Sequence, residues 1–129
     1  MMAGLSLERV KELLDAEVLW PCDLSIVIES VGAADLMSDV LSLGWPGMLL
    51  LTGLTNLQAI RTAAVADLKA VVFVRNKRPG REAIELAQEK GIPVLSTSLT
   101  MFQASGVLYM EMFGRESEGA AGASHHGSG

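Results

Sequence analysis

Thr52-Gly53-Leu54-Thr55-Asn56 interrupts an apolar run at the middle of the chain, with residue types that either bind anions or turn corners. A glycine lets the backbone bend tightly, and Thr55 or Asn56 can cap a following helix with a side-chain oxygen. The exposed amides of that first helical turn can also accept a phosphate or carboxylate. The spacing is neither G-x-x-x-x-G-K-[ST] nor G-x-G-x-x-G, and no lysine follows to reach a phosphate. A strand-to-helix joint is therefore the first reading of this stretch, and one wall of an anion site the second.

The densest positive cluster runs from Arg75 to Arg81 as RNKRPGR. Arginine there could clamp an anion with bidentate geometry, the alternative being a solvated loop. Arg75 is the leading candidate, because it directly follows apolar Val71-Val72-Phe73-Val74 and its stem is expected to be held by the strand; Lys77 belongs to the same cluster. Ser96-Thr97-Ser98 forms a third polar break after Ile92-Pro93-Val94-Leu95.

Other chemistry has less to build on. Asp35 and Asp39 stand one helical turn apart, but two carboxylates without further oxygen ligands favour a helix cap and a solvated face over a cation site. Both histidines, His125 and His126, lie in a Gly/Ala/Ser-rich terminal stretch. Ser-His-Asp or Cys-His catalysis and histidine-ligated metals are excluded unless that stretch folds back. The one cysteine, Cys22, excludes an internal disulfide and a cysteine-based zinc cluster, and is expected in or near the core. No catalytic residues, cofactor or metal are assigned.

These breaks fall between segments of alternating character. Ser6 caps an expected helix over SLERVKELLDA, with Leu7, Val10, Leu13 and Leu14 on one face. EVLW reads as a short strand stopped by Pro21, and SIVIESVGAA begins as another. Asp35 is expected to cap the helix LMSDVLSL, which ends at Gly44. From Met48 onward, strands MLLLT, AVVFVR and IPVLST alternate with helices NLQAIRTAAVAD, REAIELAQEKG and, capped by Ser98, LTMFQASGVLYMEMFG. The strands are continuous apolar runs, as expected when both faces are covered. Strands alternating with helices of this length imply βαβ units and a parallel sheet. The expected fold is α/β, a three-layer α/β/α domain over residues 5–114 with a mainly parallel sheet of about four to five strands. Residues 115–129 are expected to be a Gly/Ala/Ser tail, disordered or encoded by an expression vector.

Half of the 129 residues are hydrophobic and 19% are charged, a composition that supports one folded domain. No apolar run approaches the roughly 20 residues that cross a bilayer, and Met1 to Gly4 lacks a signal-peptide layout, so the expectation is a cytoplasmic protein without membrane contact. The net charge of −5 is uneven: eight acidic and two basic residues lie in 1–60, against five acidic and seven basic in 61–114. That argues against general nucleic-acid binding. It suits a local anion site or self-association between oppositely charged surfaces. The last helix carries Phe102, Gly106, Tyr109 and Phe113 on one side, read first as core packing against the sheet and second, because the apolar arc is wide, as a face for another subunit.

The segments ADLMSDVL, LLLTGLTNLQAIRTAAVADLKAVVFVRNKRP and AIELAQEKGIPVLSTSLTMFQASGVLY resemble the DRTGG domain family over roughly residues 5–114. That family is similar to the N-terminal domain of HPr kinase/phosphorylase and to the middle region of long phosphotransacetylases, and it also occurs beside CBS pairs. The resemblance implies a three-layer α/β/α fold, no catalytic machinery, and a regulatory or ligand-sensing role. The family's Thr-Gly-Gly signature is replaced by Glu29-Ser30-Val31, and the kinase P-loop is absent, so kinase activity does not carry over.

Together these readings favour a non-enzymatic regulatory module. It would bind a small anionic metabolite or nucleotide at a rim formed by Thr52, Gly53, Thr55, Asn56, Arg75, Lys77, Ser96, Thr97 and Ser98. It would act as a homodimer or through a regulatory partner protein. The alternative is a ligand-free interaction module assembled through a sheet edge or the last helix. A small enzyme acting on phosphorylated substrates through Arg75, Ser96 and Thr97 is the weakest reading, for want of a base.

Overall fold

The computed structural model describes residues 4–44 and 46–124. Seven strands and five helices follow in the order β1 (Leu5–Ser6), α1 (Leu7–Leu14), β2 (Glu17–Val18), β3 (Val27–Ile28), β4 (Val31–Ala33), α2 (Met37–Leu43), β5 (Leu49–Thr52), α3 (Leu57–Val65), β6 (Ala70–Phe73), α4 (Arg81–Lys90), β7 (Val94–Ser96) and α5 (Met101–Ser124). The boundary expected near Gly114 therefore falls inside α5, and residues 125–129 of the expected tail, with both histidines, lie outside the described residues.

Five strands form one sheet in the order β2-β7-β6-β5-β4, in which β4, β5, β6 and β7 are parallel and β2 joins the β7 edge antiparallel. The small ribbon β1-β3 stands apart and was not expected from the sequence. The expected three-layer α/β/α class is the observed one. Alternate residues of each parallel strand feed opposite sides, as the period of two demands. Leu49, Leu51, Ala70, Val72 and Leu95 pack with α1 and α5. Leu50, Val71, Phe73 and Val94 pack with α2, α3 and α4.

Because the parallel strands follow one another in chain order, their connecting helices α2, α3 and α4 collect on one face, the outcome of repeated crossovers of one hand. Among the described residues, strand order does not reverse within the parallel run. The chain starts on the other face with α1 and returns to it after β7, where α5 lies beside α1, with Arg9 Nε 3.5 Å from Glu111 Oε2. The sequence patterns account for the local ends. Ser6 accepts the Arg9 N–H at 3.1 Å, Asn56 accepts the Ala59 N–H at 3.2 Å, and Gly91 closes α4 at φ 70°. Two expected caps are corrected. Helix α2 has no side-chain cap, since Asp35 points elsewhere. The cap of α5 is Thr100 and not Ser98: Gln103 N–H donates to Thr100 Oγ1 at 3.1 Å, and Thr100 N–H donates to Gln103 Oε1 at 3.0 Å, a reciprocal capping box.

Candidate functional site

Parallel pairing of β4 to β7 puts four loops at one end of the sheet: Ala34-Asp35, Gly53–Asn56, Val74–Arg78 and Thr97–Thr100. Backbone bonds sew three of them together. Val74 N–H donates to Thr52 O at 3.0 Å, Arg75 N–H to Leu99 O at 2.7 Å, and Asn76 N–H to Thr97 O at 2.7 Å. The three polar breaks seen in the sequence thus share a rim.

The loop after β5 is tied to the loop after β4 by a side chain. Asp35 Oδ1 accepts the Gly53 N–H at 2.7 Å and the Thr52 hydroxyl at 3.2 Å, while Thr52 Oγ1 accepts the Leu54 N–H at 3.1 Å. A Cβ on Gly53 would stand 3.4 Å from Asp35 Oδ1 and 3.5 Å from Arg75 Nη2, so a carboxylate and a guanidinium flank the bare Gly53 Cα. Among the described residues these two form no ion pair with each other, and both are exposed. A hydrogen-bond acceptor and an anion-binding donor fork therefore face the same small opening.

Arg75 reaches that place through an unusual turn. Arg75 and Asn76 lie at φ 59° and 58°, and Lys77 N–H donates to Val74 O at 3.2 Å, the signature of a type I′ turn built without glycine. Left-handed backbone costs an L-residue roughly 1–2 kcal/mol. The two short bonds to Leu99 and Thr97 hold it in place.

The nine sequence candidates divide by exposure. Thr52, Ser96 and Thr97 are buried and engaged internally: Ser96 Oγ donates to Lys77 O at 2.8 Å, and Thr97 Oγ1 donates to Leu14 O at 2.6 Å while accepting Leu99 N–H at 3.2 Å. They brace the rim from beneath. Gly53 and Thr55 are half-exposed, and Asn56, Arg75, Lys77 and Ser98 are exposed on it, Asn56 being the α3 cap. Arg78 leaves the basic cluster to bind Glu17 on β2, at 2.6 and 3.1 Å through both guanidinium nitrogens. That pairing lowers the Glu17 carboxyl below its ordinary range, through the hydrogen bond first and charge second. Asp35 was the residue sequence reasoning misplaced: an acidic side chain just before a helix reads as its cap, and only the parallel neighbour reveals the competing amide.

Among the described residues, three cavities open elsewhere, the smallest of them sharing Ala34 with the loop after β4. One of about 910 Å³ opens at the opposite end of the sheet, among Trp20, Cys22, Asp23, Lys69 and Pro93. Cys22 is half-buried there, and burial followed by the Asp23 charge raises its thiol pKa. The other two, of about 400 and 200 Å³, flank β4 on its two faces. No helix of the described residues is long and apolar enough to cross a membrane.

No family model and no curated relative matches the chain. Among solved structures the chain is similar to the CBS and DRTGG domains of the regulatory region of Clostridium perfringens pyrophosphatase, complexed with the activator diadenosine tetraphosphate. The TM-score is 0.72 at 20% identity, covering 83% of this chain and 47% of that one. The chain thus spans about half the length of that structure, and the likeness supports a DRTGG-like fold.

Proposed function

We propose that this domain is a non-enzymatic regulatory module that binds a small phosphorylated anion, a nucleotide foremost, at the rim where Gly53 lies between Asp35 and Arg75. The observation that carries the reading is that uncovered Cα: it lets a ligand approach the backbone, with the guanidinium on its phosphate and the carboxylate on a hydroxyl or amine. The similar regulatory region, complexed with a nucleotide activator, supports the same class of ligand.

Calorimetry with diadenosine tetraphosphate, ATP, AMP, NADH, coenzyme A and acetyl phosphate tests it. At least one should bind saturably. Arg75→Ala should weaken that binding about tenfold or more, as loss of a charge-assisted bond does. Gly53→Ala should do likewise without lowering the melting temperature, because its methyl would meet Asp35 and Arg75 at ordinary contact distances. Failure of every compound to bind, or equal binding by both variants, overturns the reading.

A second reading, assembly, is favoured by a separate observation: the β4 edge of the sheet is open.

A further inference from the structure

The two edges of the main sheet are treated differently. At one edge, β2 presents the charged Glu17, and Pro21 follows three residues after its end. Charge and proline are the usual guards of a strand that must not pair. At the other edge, the three residues of β4, Val31-Gly32-Ala33, carry neither, and the exposed Glu29 and Asp35 flank them two residues out on either side. Leu49 N–H donates to Ser30 O at 3.0 Å and Ala34 N–H to Leu51 O at 3.1 Å, so by the alternation of a parallel ladder Val31 and Ala33 turn their peptide groups to the open side.

The helices beside this edge are also uncovered. Tyr109, Met112 and Phe113 of α5 form an apolar groove of about 400 Å³ with β4, and the Tyr109 and Phe113 ring centroids lie 4.8 Å apart with the planes tilted by 36°. Phe102, two turns before Tyr109 on the same side, is 88% exposed, and Tyr109 and Met110 are 61% and 65% exposed. On the opposite sheet face, Leu36 at the start of α2 is 61% exposed. Glu111, the one charged residue between Met101 and Gly114, turns away toward Arg9 of α1. The strand itself and the α5 face beside it are therefore uncharged, the charges of this border lying beyond the ends of β4.

From this we infer that β4 pairs antiparallel with β4 of a second copy, making one continuous sheet across a two-fold axis through Gly32. The geometry is self-complementary. With the axis normal to the sheet, Val31 and Ala33 of one copy exchange hydrogen bonds with Ala33 and Val31 of the other. The two Gly32 residues form the narrow pair between them, where Cα atoms close to about 4.5 Å. The same axis keeps both α5 helices on one face, where the stripe of Phe102 and Tyr109 meets its own copy and closes the groove. Two aromatic side chains of this exposure contribute on the order of 300 Å². With Met110, Leu36 and the strand itself, that approaches the roughly 800 Å² per partner of a stable interface.

Sedimentation and amide exchange on the whole chain test the pairing. A dimer is expected, with slow exchange at Val31 and Ala33 that quickens on dilution. Ala33→Lys, on an exposed edge position, and Phe102→Glu, on a side chain almost wholly in solvent, should each weaken association about tenfold or more while leaving the circular dichroism unchanged. A monomer at all concentrations overturns the proposal, as does a dimer that persists in both variants. A dimer whose Val31 and Ala33 amides still exchange fast overturns it too. Dissociation by high salt would point instead to attraction between the acidic first half and the basic second half. Protection of those amides only when a foreign extended peptide is added would assign the edge to another protein. None of these outcomes depends on nucleotide binding at the rim, so the two proposals fail separately.

Discussion

Asp35 accepts the backbone N–H of Gly53 at 2.7 Å, across 18 residues of sequence, and thereby fixes the loop after β4 against the loop after β5. Replacing it with asparagine keeps an acceptor and should leave stability within about 0.5 kcal/mol. Alanine removes both bonds and should cost about 1 kcal/mol in urea melts, the modest value reflecting solvent access. If the rim binds a nucleotide, Asp35→Asn should alter selectivity among ligands more than it alters the melting temperature.

Thr97 offers a sharper stability test. Its hydroxyl lies buried between Leu14 O and Leu99 N–H, tying the end of α1 to the loop before α5. Thr97→Val conserves shape and strands both partners, so an unfolding penalty of about 1–3 kcal/mol is expected from denaturant titration.

Gly32 is hemmed in by a neighbour. A Cβ there would stand 2.6 Å from Met48 Sδ and 2.9 Å from its Cε, and Met48 is buried. Gly32→Ala should destabilise by about 1 kcal/mol or less, because the obstructing atoms are the flexible end of Met48, which must shift within its buried site. Shortening the obstacle in a Gly32→Ala, Met48→Val double variant should recover part of that loss, a non-additivity measurable by a double-mutant cycle.

Glu17 and Arg78 predict a pH effect at the β2 edge. The folded carboxyl titrates below its unfolded value, so its contribution is complete above about pH 4.3 and is lost as the pH falls through the lower folded value. Amide exchange at Val18, paired with Leu95, should accelerate in that acid range, and Glu17→Gln should remove the dependence. Because both side chains are largely in solvent, global stability should barely change.

Much of the architecture was legible because burial on both faces leaves an unmistakable mark: Leu49-Leu50-Leu51 and Val71-Val72-Phe73 have no polar alternation to confuse with a surface strand. The first third was harder. Strands of two and three residues, such as Val27–Ile28 and Val31–Ala33, are too short for periodicity to register, and their partners are set by tertiary contact. The rim was located because loops after parallel strands share an end, yet the sequence could not tell Thr97, facing inward to Leu14, from Ser98, facing out. One signal was present and overlooked: Thr100-Met101-Phe102-Gln103 has the T-x-x-Q spacing of a capping box.

The turn at Arg75 and Asn76 sets stability against the proposed binding at a single place. Glycine at position 75 would relieve the left-handed strain and make the molecule harder to unfold, while taking away the cation that overhangs Gly53. Selection for heat resistance alone would therefore favour removing this side chain, and an unusually robust variant recovered from such a screen is one in which the proposed anion binding should be measured before anything else.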